Sequence, residues 1–330
     1  MVDLLGRPIR DLRVSVTDSC NFRCTYCLPS EAFPRDYAFL KPDQLLRFSD
    51  IELVVAALLP LGLQKVKITG GEPLLRPLLV ELIALLKGRW PGLEVALITN
   101  GHHLAPLVKR IRKAGLDSVT VSLDALDPTV FGRMTGNAHR LDTVLAGIEE
   151  AHREFEQVKI NTVLIRGEND DQVEALAKYF QRPGFALRFI EYMDVGSLNR
   201  WRRDQVVTGA EVLERLQKLK NLFPLPKRHP GETSERWVWS EAEGEVGFIN
   251  SVSRPFCAEC VRVRLSADGK LYTCLFSNRS TDLKPVLLTG NLAEVTQTIT
   301  AVWKKRDDRY SEQRQSLAGT TRQEMFTLGG

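Results

Sequence analysis

Long hydrophobic runs, a strong charge of either sign and abundant cysteine or histidine are all missing from this chain of 330 residues, and each absence excludes something. No apolar run approaches the roughly 20 residues needed to span a bilayer, so no membrane partner is expected. The 45 basic residues stand against 41 acidic ones, a formal net charge of only +4. A nucleic-acid-binding domain usually concentrates more positive charge than that. The one basic cluster, Lys304-Lys305-Arg306, runs straight into Asp307-Asp308 and reads as a mixed, solvated face. The start, Met1-Val-Asp-Leu-Leu-Gly-Arg-Pro8, lacks the basic, then apolar, then small-residue layout of a signal peptide. Six cysteines in so long a chain do not suit the disulfide frameworks of short secreted domains. The five histidines (His102, His103, His139, His152, His229) lie far from every cysteine in sequence, so none offers itself as the fourth ligand of a closed zinc site.

What is present is the spacing of those six cysteines. Cys20-Asn-Phe-Arg-Cys24-Thr-Tyr-Cys27 is a C-x3-C-x2-C run, and Cys257, Cys260 and Cys274 form a second triplet near the other end. Cysteines buried merely as small apolar side chains would not cluster at ligand spacing. A cubane iron–sulfur cluster normally takes four thiolates. Two triplets therefore suggest two clusters, each with one iron left open for a small molecule. Structural zinc remains the rival reading, since similar spacings suit a tetrahedral ion. Free thiolates for a metal imply a reducing compartment, and a cytoplasmic location is expected.

Strand-like runs alternate with helical ones through the first two thirds of the chain. The runs 12–17, 65–69, 94–99, 118–123, 158–164 and 186–192 read as strands. Leu104, Leu107, Val108 and Ile111 have helical spacing, with Gly115 as a stop. Asn169 and Asp170 are candidate caps for a helix carrying Val173, Leu176, Ala177 and Phe180. Such alternation means βαβ units and a parallel sheet. The expected fold is α/β, a partial (β/α)6 TIM-like barrel over residues 5–222. A helix near 211–219 and the prolines Pro224, Pro226 and Pro230 lead into a smaller C-terminal region, 223–330, of β-hairpins and helix. Polar residues and glycines gather where each strand ends: Thr17-Asp18-Ser19-Cys20, Gly70-Gly71-Glu72-Pro73, Asn100-Gly101, Ser122 to Asp124, Asn161, and Glu191 to Met193. In parallel barrels those ends form the active-site rim.

Ser266-Ala267-Asp268-Gly269-Lys270 is a hairpin signal, and a three-residue loop with Gly269 at positive φ fits it best. Ser266 then pairs with Lys270, Arg262 lies opposite Cys274, and Arg262 and Arg264 share its face. Two arginines beside a metal cluster suggest an anion site, because the guanidinium fork matches phosphate oxygens. The alternation of Val158, Lys159 and Ile160 on a parallel strand points Lys159 into the barrel.

The first triplet, with Tyr26 before its last cysteine, and Gly70-Gly71-Glu72-Pro73 resemble the radical S-adenosylmethionine superfamily. From Leu5-Gly-Arg-Pro-Ile-Arg-Asp-Leu-Arg13 to Gly329-Gly330 the chain is similar to the GTP-cyclising lyases that open molybdenum cofactor biosynthesis. Arg188-Phe-Ile-Glu-Tyr-Met-Asp194 and Arg262-x-Arg264 are further matching stretches. The resemblance implies a [4Fe–4S] cluster on Cys20, Cys24 and Cys27 that binds S-adenosylmethionine and generates a 5′-deoxyadenosyl radical. Hydrogen is then taken from C3′ of GTP, and C3′ joins C8 of the base. It implies a second [4Fe–4S] cluster on Cys257, Cys260 and Cys274 contacting the guanine. It places Tyr26, Gly71, Ser122 and Met193 at S-adenosylmethionine, Tyr26 and Met193 largely through main chain. Arg13, Lys67, Lys159, Arg262, Val263 and Arg264 fall at GTP, and the terminal Gly329-Gly330 reaches into the site. A flavodoxin or ferredoxin as reductant, a downstream cyclic pyranopterin monophosphate synthase and a monomeric or homodimeric state are likewise implied. Lys67 stands where the family has Arg, Ile98 where it has Thr, and Val261 where a polar residue is usual. The rivals are a peptide-modifying two-cluster maturase, which usually has a longer cysteine-rich tail, and a zinc-binding regulatory module.

Overall fold

Leu12 and Val14 are buried, while Asp11 and Arg13 between them point the other way, and this alternation organises the whole sheet. A computed structural model describes residues 1–34, 36–136, 140–314, 316 and 322–329. Strands Asp11–Ser15 (β1), Lys65–Thr69 (β2), Glu94–Thr99 (β3), Ser118–Ser122 (β4), Val158–Leu164 (β5) and Phe185–Glu191 (β6) lie side by side in chain order, all parallel. Helices Phe48–Leu58 (α1), Leu79–Arg89 (α2), Val108–Lys113 (α3), Pro128–Thr135 (α4), Leu141–Glu154 (α5) and Val173–Phe180 (α6) cover the outer face. There Val66, Ile68, Val95, Leu97, Val119 and Val121 meet the apolar stripes of the helices in one continuous core. Among the described residues, no helix is long and apolar enough to cross a membrane.

One local expectation needs correction. Asn169 does not cap α6: its Oδ1 accepts from the Ile165 N–H (2.8 Å) and its Nδ2 donates to the carbonyls of Asp124 (2.9 Å) and Val163 (2.8 Å). Its amide is taken up in closing the β5–α6 loop, and a short 3-10 turn at Asp170–Gln172 leads into the helix instead. The next helix is Gly209–Gln217 (α7), starting at a capping box. Thr208 accepts from the Glu211 N–H (3.2 Å), and Glu211 accepts from the Thr208 N–H (2.8 Å).

The C-terminal strands Leu222–Leu225 (β7), Glu235–Trp239 (β8) and Glu245–Ile249 (β9) are antiparallel to one another, but β9 lies parallel beside β6. On the other edge, Arg262–Leu265 (β10) lies parallel beside β1, followed by Lys270–Tyr272 (β11) and Thr281–Asp282 (β12). One twelve-stranded sheet results, in the order β12-β11-β10-β1-β2-β3-β4-β5-β6-β9-β8-β7. The six parallel strands of the barrel are thus widened at both edges by strands that come last in the chain. The β10–β11 hairpin has the expected register: Ser266 N donates to Lys270 O (2.9 Å), Arg264 pairs with Tyr272, and Gly269 has φ +87°. Continued two residues, that register sets Arg262 across from Cys274. Lys284–Leu288 (α8), Leu292–Lys304 (α9), Tyr310–Gln313 (α10) and Met325–Leu328 (α11) complete the chain, α9 packing on α1.

Candidate active site

The face of the sheet turned away from the helices is polar. Parallel register lines up Arg262, Asp11, Lys65 and Glu94 in one row, and Arg264, Arg13, Lys67 and Ala96 in the next. Further round stand Thr120, Lys159 and Ala186, then Ser122, Asn161, Arg188 and Gly247. Closed barrels fill this space with branched aliphatic side chains; this one fills it with charge. Lys67 binds Asp11 (2.7 Å) and Lys65 binds Glu94. Among the described residues, no carboxylate lies within salt-bridge distance of Arg13, Lys159, Arg188, Arg262 or Arg264.

These groups share one lumen and feel each other across it. Burial, then Arg188 on β6 and Lys65 on β2, push Lys159 down to about 7, with Lys67 adding to the effect. Burial lowers Arg188 to about 10. Burial, followed by Arg13 and Arg262, holds Arg264 well below its ordinary value. Asp11 is the exception: burial would raise it, but Lys67 and Arg13 bring it to about 2. Like charges forced together in a dry channel form a site that a polyanion relieves.

The first triplet sits on the loop after β1, at the mouth of this lumen. Cys27 N and Leu28 N both donate to Cys24 O (3.0 and 2.8 Å), and the Arg23 guanidinium donates to Cys20 O (2.9 Å) and Phe33 O (3.0 Å). Asn100 Nδ2 reaches toward Cys20 Sγ at 3.9 Å. The glycine loop after β2 is fastened to the same segment, Gly71 N to Thr17 O and Glu72 N to Ser19 O, each at 2.8 Å. The approach is so close that a Cβ on Gly71 would lie 2.6 Å from the Ser19 carbonyl carbon. Glu72 takes the Asn100 N–H (2.7 Å), the Thr99 hydroxyl (2.6 Å) and the Leu74 N–H (3.0 Å), and burial still raises it to about 7. Tyr26 OH donates to Asp124 (2.8 Å), whose carboxyl burial raises to about 6.

None of the six cysteines is in a disulfide. In the first triplet, burial, and after it Glu72 at Cys20 and Asp124 at Cys24, push the thiols up, Cys20 to about 12. The second triplet is different. Burial would raise Cys260, but Arg262 and Arg306 bring it down to about 6, while burial raises Cys274 to about 12. A coordinating metal deprotonates such thiols outright. Among the described residues, no three ligating groups converge on a single point as the ligands of one ion do. In a cubane each thiolate binds a different iron, so three cysteines need not meet at one point to hold it. The donor sets fit three-thiolate clusters.

The last residues close the lumen from above. Arg264 donates to the carbonyls of Leu328 (3.2 Å) and Gly329 (2.7 Å). Gly329 has φ +67°, and a Cβ there would overlap Thr69 Cγ2, so only glycine fits. Phe326 is buried edge-on among Phe33, Tyr37 and Phe39, against Cys20 and Cys27, and its N–H donates to the Cys27 thiol. Glu324 accepts from Ser197 N (2.8 Å), and Arg322 donates to Asp194 (2.9 Å), which also takes the Tyr310 hydroxyl (2.5 Å) and Arg314 Nε (2.8 Å). Gly330 lies outside the described residues.

The structure thus gathers Arg13, Lys67, Lys159, Arg262 and Arg264 on one face, with Tyr26, Gly71 and Ser122 at its mouth. Val263 belongs to the buried outer side. Met193 accepts from Asn199 Nδ2 at its carbonyl (3.3 Å) and packs against the cluster of Val195, Phe276 and Tyr310. Of the strand-end residues, Glu191 turns out to be a tether, accepting from Val252 N and Ser253 N (2.7 and 2.8 Å). Arg188 is the cation that sequence reasoning passed over, although Leu187-Arg188-Phe189 alternates on a buried strand as Val158-Lys159-Ile160 does.

Comparison with known proteins agrees with this geometry. The radical SAM superfamily profile matches residues 14–180, and the Molybdenum Cofactor Synthesis C profile matches 185–312. A GTP 3′,8-cyclase of Xanthomonas campestris pv. campestris (strain B100) is 46% identical, over 100% of this chain and 97% of that protein. A GTP 3′,8-cyclase of Aquifex aeolicus (strain VF5) is 42% identical over the full length of both. In fold, Streptococcus suis SuiB bound to S-adenosylmethionine is similar, with a TM-score of 0.60 and 15% identity, over 89% of this chain and 68% of SuiB.

Proposed function

The chain belongs to the GTP 3′,8-cyclase family of radical S-adenosylmethionine enzymes, and on that premise we propose that it converts GTP to (8S)-3′,8-cyclo-7,8-dihydroguanosine 5′-triphosphate, the first step of molybdenum cofactor biosynthesis. The observation that carries this reading is a three-thiol site at the mouth of a lumen whose cations outnumber its carboxylates. A [4Fe–4S] cluster with S-adenosylmethionine supplies, when bound, the one-electron chemistry that starts hydrogen abstraction.

The chain's own residues position and shield. Cys20, Cys24 and Cys27 hold the cluster, and Tyr26, Gly71, Ser122 and Met193 receive S-adenosylmethionine. Asp124, by fixing the Tyr26 hydroxyl, sets the main chain between Cys24 and Cys27. Arg13, Lys67, Lys159 and the Arg262-Val263-Arg264 strand receive GTP, with Arg188 added from its place in the lumen. Charge-assisted bonds from several cations suit a triphosphate. Cys257, Cys260 and Cys274 would hold a second [4Fe–4S] cluster, which would take the guanine end of the substrate. The tail on Arg264 shuts water out.

The three departures from the family pattern are absorbed locally. Lys67 keeps its charge against Asp11. Ile98 is paired across the sheet with Thr120, which brings a hydroxyl one strand away. Val261 acts through its carbonyl, which accepts from Arg10 N (3.0 Å) and Asp11 N (3.2 Å). The division into a core at 5–222 and a C-terminal unit at 223–330, the cytoplasmic location, the flavodoxin or ferredoxin donor and the downstream synthase belong to the same reading. Anaerobic incubation with GTP, S-adenosylmethionine and reductant tests it: 5′-deoxyadenosine together with cyclised GTP is expected. 5′-Deoxyadenosine alone would defeat the substrate assignment, and a colourless protein containing zinc without sulfide would defeat the clusters.

A further inference from the structure

Three charged side chains outside the lumen converge on the second triplet. Arg7 is 2% exposed and Arg306 is 3% exposed, so both guanidinium groups have left water. Arg306 Nε lies 3.4 Å from the half-buried Asp308 carboxylate. Arg7 donates to the carbonyl of Cys257 (2.8 Å) and to that of Asp308 (2.7 Å). Arg306 donates to the carbonyl of Cys260 (2.8 Å). Asp3 joins the two, accepting from Arg7 Nε (2.6 Å) and lying 3.3 Å from Arg306. The Asp3 carboxylate also takes the N–H groups of Leu5 (2.9 Å) and Arg7 (2.8 Å), which fixes the N-terminal turn. Trp303 seals the group: its Nε1 donates to Arg7 O (3.0 Å), and the Arg306 guanidinium lies 4.4 Å from its ring centre. A buried network of this kind is costly unless every partner is satisfied. Here the acceptors are the carbonyls of two cluster cysteines and of Asp308 and the carboxylates of Asp3 and Asp308, and Arg7 Nη2 is left without a partner.

We propose that Arg7 and Arg306, bridged by Asp3, are positioning residues for the second cysteine triplet, holding Cys257 and Cys260 ready for a cluster and placing positive charge beside it. The inference rests on the second-cluster reading above. The 257–260 turn has little else to fix it, being a short 3-10 segment with no buried residue of its own. One guanidinium nitrogen on each of its two cysteine carbonyls supplies rigidity that regular structure does not. Each charge favours the more negative, reduced cluster, offset in part by Asp3 and Asp308, whereas Glu72 and Asp124 lie beside the first triplet.

Arg306→Gln and Arg7→Gln, purified anaerobically beside the wild type, test this. Wild type should carry about eight irons per chain, and the variants about four, since each cubane holds four. The remaining cluster should still show the S-adenosylmethionine-dependent change in its electron paramagnetic resonance, which reports a folded barrel. Should the glutamine variants not fold, Arg306→Lys is read instead. It keeps the charge but not the fork, and positioning requires it to lose or loosen the second cluster too. Where a second cluster survives, its midpoint potential should fall relative to wild type and the GTP KM should rise. Variants that hold two clusters with unchanged potential and unchanged KM overturn the clamp. A wild type with iron for one cluster only overturns the second-cluster reading and the clamp with it.

Discussion

Phe326→Ala should detach the tail without unfolding the protein. Phe326 is 3% exposed, and its ring lies 5.1 Å from Phe33, 6.4 Å from Tyr37 and 6.3 Å from Phe39, centre to centre and close to perpendicular. In an ordinary core such a truncation costs about 3–5 kcal/mol. This residue, however, stands four positions from the end of a segment held otherwise by a few polar contacts, through Glu324, Arg322 and the Leu328 and Gly329 carbonyls. The tail can leave its socket and avoid the rest of the penalty, so the loss falls on docking alone. A loss of about 3 kcal/mol shifts the docked-to-free ratio roughly 150-fold. Limited trypsin digestion followed by mass spectrometry reads this directly as faster cleavage after Arg322. The melting temperature should change little, and kcat for GTP cyclisation should fall. A melting temperature lowered by a core-sized amount, with the tail still resistant to trypsin, would show that Phe326 is a packing residue and the socket no socket.

Lys159, with its charge half lost near pH 7 in the free protein, should make GTP binding pH-dependent. The protonated form attracts the triphosphate, so affinity is full below about pH 7. Above it, affinity falls by up to about tenfold per pH unit, until the raised value in the complex is passed. Isothermal titration between pH 6 and 8 should show this slope, and Lys159→Arg should flatten it. Gly71→Ala would drive a Cβ into the backbone of Ser19, where no side chain can swing aside. Overpacking of that kind costs about 1–3 kcal/mol. S-adenosylmethionine affinity should therefore drop by about ten- to a hundredfold, measured by equilibrium binding, with iron content unchanged.

Much of this was legible in the sequence, for local reasons. The barrel strands announce themselves because most set an apolar outer row against a more polar inner one, and Lys65–Thr69, Glu94–Thr99 and Val158–Leu164 fall where the pattern puts them. The β10–β11 register was legible because a turn of known length fixes pairing on both sides of it. Asn169 misled because its side chain serves a loop as readily as a helix start, and only the surrounding carbonyls decide between them. The edge pairings β6–β9 and β1–β10 leave no local trace, since hydrogen bonds to a distant strand look the same in sequence as those to a near one. The Arg7 clamp was invisible for the same reason, joining residues 250 apart.

The placement of β9 and β10 also bears on how the chain reaches this state. A ribosome delivers β1 to β6 first, and until β9 and β10 follow, both outer strands of that sheet are bare. Unpaired strand edges invite pairing with other chains, and pairings this distant in sequence form slowly. Nascent protein truncated near residue 222 is accordingly expected to aggregate, and a chain stopped after β10 to stay dispersed. The strand bearing Arg262 and Arg264 is thus also the one that ends the chain's exposure to its neighbours during synthesis.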